Sequence, residues 1–217
     1  MRKALFLLLA CLPMSSFAQQ LKTEGTSAAD LTPEGWEVKE ASGDLNKDGH
    51  LDLVILATPN MAENMMTRDD GYVFNFNQPI LAIYFGKADG GFKLWKKYED
   101  IIAHQVDEYI FVTSSLSILP QGTLKISLEY FASAGTSTSS TDSYTFRYQG
   151  GDFMLIGKDM NSLSRFNGKS EEISINYLTR KCKTTTCNVF KDEVKPREVW
   201  KTLPKAPLKR LGEFRIE

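Results

Sequence analysis

The sequence predicts an all-β chain, a mostly antiparallel sheet or sandwich with little helix. Three observations carry that expectation. Short apolar runs rich in β-branched and aromatic residues recur along the 217 residues, and Gly, Pro, Asn or Asp closes most of them. Several runs flank glycine-containing segments short enough for hairpins. No long stretch repeats its apolar residues at the helical period.

The elements follow in order. Residues 19–34 are polar and read as a loose lead-in. Leu51 to Ala57, apolar except for Asp52, reads as a buried strand. Ile80 to Phe85 is a second strand, and Phe92 to Tyr98 a third, joined by the turn Lys87-Ala-Asp-Gly-Gly91. Leu116 to Leu119 stops at Pro120-Gln-Gly122. Thr123 to Phe131 then alternates, putting Leu124, Ile126, Leu128 and Tyr130 on one face. Ser133 to Ser143 is rich in Ser and Thr and reads as a loop. Tyr144 to Tyr148 and Phe153 to Gly157 make a hairpin across Gln149-Gly-Gly151, and Glu172 to Leu178 is a further strand. Pro196, Pro204 and Pro207 confine any helix near the end to Glu198–Thr202. No break in composition divides residues 19–217, which read as one domain.

Composition narrows the class more than the function. The chain is 42% apolar and 24% charged, with 26 basic and 27 acidic residues and a formal charge of −1. That is enough apolar material for a core and too little net charge for wholesale disorder. A near-neutral balance excludes a nucleic-acid binder that works by bulk positive charge.

The first residues read as an address. Arg2 and Lys3 precede the apolar run Ala4–Cys11, Pro13 breaks it, and Ser16-Phe17-Ala18 offers small residues for signal-peptidase cleavage after Ala18. The expected location is the periplasm or the medium. Leu8-Leu9-Ala10-Cys11 allows a rival reading, a lipid anchor on Cys11. No later run reaches the roughly 20 apolar residues needed to span a bilayer, so no transmembrane segment is expected. Cleavage leaves two cysteines, Cys182 and Cys187, and an exported pair usually joins. A short disulfide across Lys-Thr-Thr-Thr is expected, with metal ligation as the alternative.

The most informative stretch is Gly43-Asp-Leu-Asn-Lys-Asp-Gly-His-Leu-Asp52. Asp44, Asn46, Asp48 and Asp52 occupy positions 1, 3, 5 and 9 of a loop, with Gly49 at position 6. Ca²⁺ takes six to eight hard oxygen ligands, and alternate ligands on a curling backbone supply them. The His50 carbonyl is the expected backbone ligand. A helix–loop–helix site would need Glu at position 12, which here is Ile55, inside a strand. Smaller Mg²⁺ demands stricter octahedral geometry.

This stretch resembles the calcium loop of FG-GAP and VCBS repeats, the units of integrin-type propeller blades. The likeness extends through Asp52-Leu-Val-Ile-Leu-Ala-Thr-Pro59 and Leu81-Ala-Ile-Tyr-Phe-Gly86 to Asp89-Gly-Gly-Phe92, covering residues 43–92. It implies calcium ligands at Asp44, Asn46, Asp48 and Asp52, and one blade-like unit within the larger β-fold. The pattern departs at Ala57-Thr58-Pro59, which lacks the usual glycine, and in the long Asn60–Gln78 insertion. A propeller needs about four or more blades, and only one copy is present.

Other candidates are weaker. Met61, Met65 and Met66 could hold Cu(I), but thioethers more often pack against aromatics such as Tyr72, Phe74 and Phe76. A serine hydrolase needs a base aligned with its nucleophile. The two histidines, His50 and His104, sit in no such motif, so no catalytic residue is assigned. Asp69-Asp70, Asp107-Glu108 and Glu171-Glu172 are sequence neighbours that point apart on a strand. The basic tail Lys195–Arg210 packs along the sheet or meets an acidic partner or envelope polyanion. The expected function is therefore an exported, non-enzymatic calcium-binding β-domain that recognises a protein or glycan in the envelope. The alternative is an inhibitor or immunity protein whose Asn60–Gln78 loop blocks a wall-degrading enzyme or toxin.

Overall fold

The structure is a computed structural model and describes residues 19–217, except 192 and 194. The expected signal peptide, its cleavage after Ala18 and the anchor residue Cys11 lie outside the described residues. The chain lays down β1 (Glu24–Gly25), a one-turn helix α1 (Ala28–Leu31), β2 (Glu37–Gly43) and β3 (Asp52–Thr58). β4 (Met65–Thr67) and β5 (Val73–Asn75) form a small hairpin, and β6 (Ile80–Gly86) and β7 (Phe92–Glu99) follow. Then come β8 (Ile110–Leu119), β9 (Thr123–Ala132), β10 (Thr138–Gln149), β11 (Asp152–Ser164), β12 (Lys169–Asn176), β13 (Lys181–Asn188) and β14 (Arg197–Thr202).

The fold is all-β, and the strand ladders are antiparallel. The first sheet has the order β1-β7-β6-β3-β2. The second is a seven-stranded meander, β8 through β14 in sequence order, curled into a half-barrel.

The apolar run of β3 is explained by burial on two sides. Val54 and Leu56, with Leu81 and Ile83 of β6, face the second sheet. There they meet Leu124, Ile126, Leu128, Tyr144, Phe146, Phe153 and Leu155 in one core. Alternate residues Leu53, Ile55 and Ala57, with Ala82 and Tyr84, face the opposite way and are covered by Leu21, Ala28 and Leu31. The stretch read as a loose lead-in is therefore a structural cover. Ser27 caps α1 by accepting the Asp30 amide at 3.1 Å, and Tyr84 donates its hydroxyl to the Lys22 carbonyl at 3.0 Å. Three apolar side chains spread over eleven residues leave too weak a pattern to announce this in sequence.

Trp95 ties the sheets together, with Phe85 at 5.6 Å, Tyr148 at 5.8 Å and Phe153 at 5.3 Å between ring centroids. The C-terminal residues Leu211, Phe214 and Ile216 complete the same core.

Three further expectations are corrected. The Ser/Thr-rich stretch 133–143 is not all loop, because Thr138–Ser143 belongs to β10 and pairs with both β9 and β11. The stretch Glu198–Thr202 is strand β14, whose amides pair with β13 instead of turning into a helix. Cys182 and Cys187 are free thiols and form no disulfide. Both stand on the continuous strand β13, not on the two arms of a hairpin. Five residues of strand separate them by about 17 Å and aim them at opposite faces, whereas bridged cysteines need Cα atoms within about 7 Å. Cys187 instead lies 2.9 Å from the Ser170 hydroxyl.

The Asn60–Gln78 insertion is ordered by its own amides. The buried Asn77 donates to the Asn75 side chain at 2.8 Å and to the Met61 carbonyl at 3.1 Å, and accepts from Asn64 at 3.0 Å. Met66 stands opposite the buried Phe74 in the β4–β5 ladder, a packing role for that thioether.

His104 lies at the base of this insertion, its Nε2 3.2 Å from the Phe76 carbonyl. Burial pulls its pKa below the ordinary 6.5; Arg215 adds to the shift, while the Phe76 contact and Asp100 oppose it. The unfolded chain then binds a proton that the folded state resists. Stability should be fully present above pH 6.5 and decline as pH falls from there to the lowered folded value. Urea unfolding of wild type and His104→Gln at about pH 7.5 and 5.5 checks this: the variant should lose less on acidification.

Candidate functional site

The acidic loop joins β2 to β3 at one end of the first sheet. Leu45 is its peg, buried in the core shared by the two sheets. The backbone then curls outward. Lys47 (φ 65°) and Gly49 (φ 87°) are both left-handed, which Gly tolerates freely and Lys adopts at a cost.

Each expected site residue has a definite place. The Asp44 carboxylate reaches across the loop, accepting the Lys47 amide at 2.7 Å and the Gly49 amide at 3.1 Å. Asn46 Oδ1 accepts the Asp48 amide at 3.0 Å, and its Nδ2 donates to Asp48 at 2.8 Å. Asp48 accepts the His50 amide at 2.9 Å, the main reason its carboxyl lies below the usual carboxylate range. His50 is exposed beside it.

Asp52 differs from the rest. It has no exposed surface. One oxygen accepts the amides of Leu45 at 2.8 Å and Asn46 at 3.3 Å, and the other accepts the Gly86 amide at 2.9 Å. Burial pushes its pKa up despite those three bonds. Asp52 therefore clasps both ends of its own loop to the end of β6.

Two glycines, unassigned by sequence reasoning, make this clasp possible. A Cβ on Gly86 would lie 2.2 Å from the Leu51 carbonyl oxygen, so only glycine lets β6 pass there. Gly122, left-handed at φ 73° in the β8–β9 turn, would place a Cβ 2.5 Å from the Asp44 carbonyl oxygen. Gly86 was visible in the sequence as the end of the Leu81–Gly86 run, but its partner could be known only from the fold.

The donors are hard oxygens, the chemistry Ca²⁺ prefers. Asp44, Asn46 and Asp48 lie on the outer curve, and Asp52 lies beneath it. Among the described residues no three His, Cys, Asp or Glu side chains converge closely enough to hold a metal as they stand. Asn46 and Asp48 are directed at each other and at the loop's own amides. Each of their oxygens retains a second lone pair. No helix among the described residues is long and apolar enough to cross a membrane. Comparison with protein families, with curated proteins and with solved structures gave no match to this chain.

Proposed function

We propose that this is an exported, non-enzymatic β-domain whose Asp44–Asp52 loop binds Ca²⁺ and whose outer surface recognises a protein or glycan of the cell envelope. The observation that carries the reading is the loop itself. Asp44, Asn46 and Asp48 alternate along a backbone curled by Lys47 and Gly49, and Asp52 anchors that curl to β6. The antiparallel run β2-β3-β6-β7 around the loop supports the likeness to a single blade-like unit. Asp44, Asn46, Asp48 and the His50 carbonyl would hold the ion, with Asp52 contributing from below. The bound ion would offset the repulsion of three carboxylates within nine residues and stiffen the β2–β3 connection.

Binding to the folded state alone raises stability by RT ln(1 + [L]/Kd), about 2.7 kcal/mol at a hundredfold excess over Kd. Thermal unfolding in EDTA and in excess Ca²⁺ tests the site. The wild type should melt higher with Ca²⁺, and Asp44→Ala/Asp48→Ala should melt at one temperature in both. Equal wild-type curves would remove calcium from the proposal.

The β4–β5 hairpin favours a second reading, an inhibitor of an envelope hydrolase. It exposes Tyr72 and Val73, with Met61 close behind, on an insertion braced by the Asn64–Asn75–Asn77 bonds. Aromatic anchors on a rigid projection are the usual centres of protein contact. Inhibition of a wall-degrading enzyme that Tyr72→Ser/Val73→Ser abolishes would establish this reading over recognition of a glycan.

A further inference from the structure

The C-terminal segment crosses the concave face of the half-barrel as a strap. It is fastened at three places. The Leu203 amide donates to the Arg180 carbonyl at 2.8 Å. The Leu155 amide donates to Lys209 and the Leu211 amide to Phe153, both at 2.8 Å. The Ile216 amide donates to Ile101 at 2.6 Å. Between the first two fastenings runs Pro204-Lys205-Ala206-Pro207-Leu208. Its prolines have no amide to offer a neighbouring strand, and the stretch belongs to no ladder and borders a cavity.

The cavity measures about 440 Å³, within the range of small-molecule sites. Its floor is Tyr144, Leu155 and Tyr177, and its roof includes Pro207 and Leu208. Four cationic side chains line it, Lys158, Arg180, Lys209 and Arg215, against the single acidic residue Glu217. Lys158 is paired with Asp142 at 3.1 Å, and Arg215 with Asp100 at 3.1 Å. Arg180 and Lys209 have no carboxylate partner among the described residues. Lys209 lies 5.5 Å over the Phe214 ring, at the cavity wall. The lining is part apolar and part cationic, and the two cations without a carboxylate partner, Arg180 and Lys209, are exposed at its rim, where they complement an anionic group whose apolar body lies inside.

We propose that this cavity is a binding site for an amphiphilic carboxylate, with the hydrocarbon under the Pro204–Leu208 segment and the carboxylate between Arg180 and Lys209. Lys158 and Arg215 supply the background field and keep their own partners. The site lies on the second sheet and is independent of the acidic loop.

Titration of the full chain, in EDTA so that calcium plays no part, tests the proposal. The probes are decanoate, the neutral decanol and short-chain acetate, followed by calorimetry and by amide NMR shifts. Decanoate should bind at least tenfold more tightly than either of the others, with shifts centred on Tyr177 and Leu208. Arg180→Gln/Lys209→Gln, both changes at exposed positions, should weaken decanoate at least tenfold and leave decanol unchanged. Leu208→Trp, which fills the chamber, should abolish binding in a chain with the wild-type circular dichroism spectrum. No decanoate binding, equal binding of decanol, equal binding of acetate, or indifference to both variants would each overturn the proposal.

Discussion

Asp52→Ala should destabilise the protein by about 3 kcal/mol, because it orphans one fully buried and two partly buried amide donors, each worth roughly 1–3 kcal/mol when left unsatisfied. For a domain of this size that lowers Tm by about 6–12 °C. The loss should be the same in EDTA, since the clasp on Leu45, Asn46 and Gly86 operates without any ion. Asp52→Asn should recover little, as its amide nitrogen would confront a backbone donor on one side. Asp48→Ala should be nearly silent in EDTA, because its carboxylate is exposed and serves mainly the outer curve. Thermal denaturation of the three variants with and without Ca²⁺ checks the division of labour. A double-mutant cycle with Gly86→Ala adds a sharper test. Both changes break the same junction, so their costs should be well below additive. Additive costs would mean that the loop and β6 are not mechanically joined.

Phe146→Ala should cost about 3–5 kcal/mol, the usual range for removing a fully buried phenylalanine. Its ring lies in the core shared by both sheets and stacks on Phe214 at 6.3 Å between centroids. The effect should therefore reach beyond the second sheet. Trp95, packed between Phe85 of β6 and Phe153 of β11, reports on the junction. Its fluorescence and far-UV circular dichroism should shift together to a lower urea midpoint. Two separated transitions would show that the sheets unfold independently and share less than their packing implies.

Much of this architecture was legible from residue pattern. The alternation of Leu124, Ile126, Leu128 and Tyr130 named the buried face of β9, because period two leaves little choice on a half-buried sheet. The apolar run Leu53–Ala57 announced a buried strand, and the fold shows that both of its faces are covered. What hid the rest was polarity. β13 reads Lys-Cys-Lys-Thr-Thr-Thr-Cys-Asn and β14 is exposed throughout, so neither carries an apolar period. Their strand state comes from ladder pairing with a neighbour, which a single segment cannot display. The disulfide expectation failed for the same reason: two cysteines with four residues between them look like a clasp until the strand between them is known to be straight. At the loop, the spacing of oxygens identified the four side chains but treated them alike. The fold separates Asp52, enclosed and bonded to three amides, from Asp44, Asn46 and Asp48 on the rim. The cavity had no signature at all, because Arg180 and Lys209 are distant in sequence and come to line one cavity only through the strap.

The strap also fixes an order of events. The meander joins only sequence neighbours, so its hairpins can form as soon as they are made, at small loop-closure cost. The first sheet covers its inner face only in part, however, and Leu211, Phe214 and Ile216 complete the cover. A chain emerging from its N-terminus would already hold the first sheet, yet Tyr144 and Phe146 would lack their Phe214 neighbour and stay partly open to water or to a chaperone until residues 211–216 follow. Closure of this part of the core is thus a late step, set by residues 211–216 and not by the meander itself.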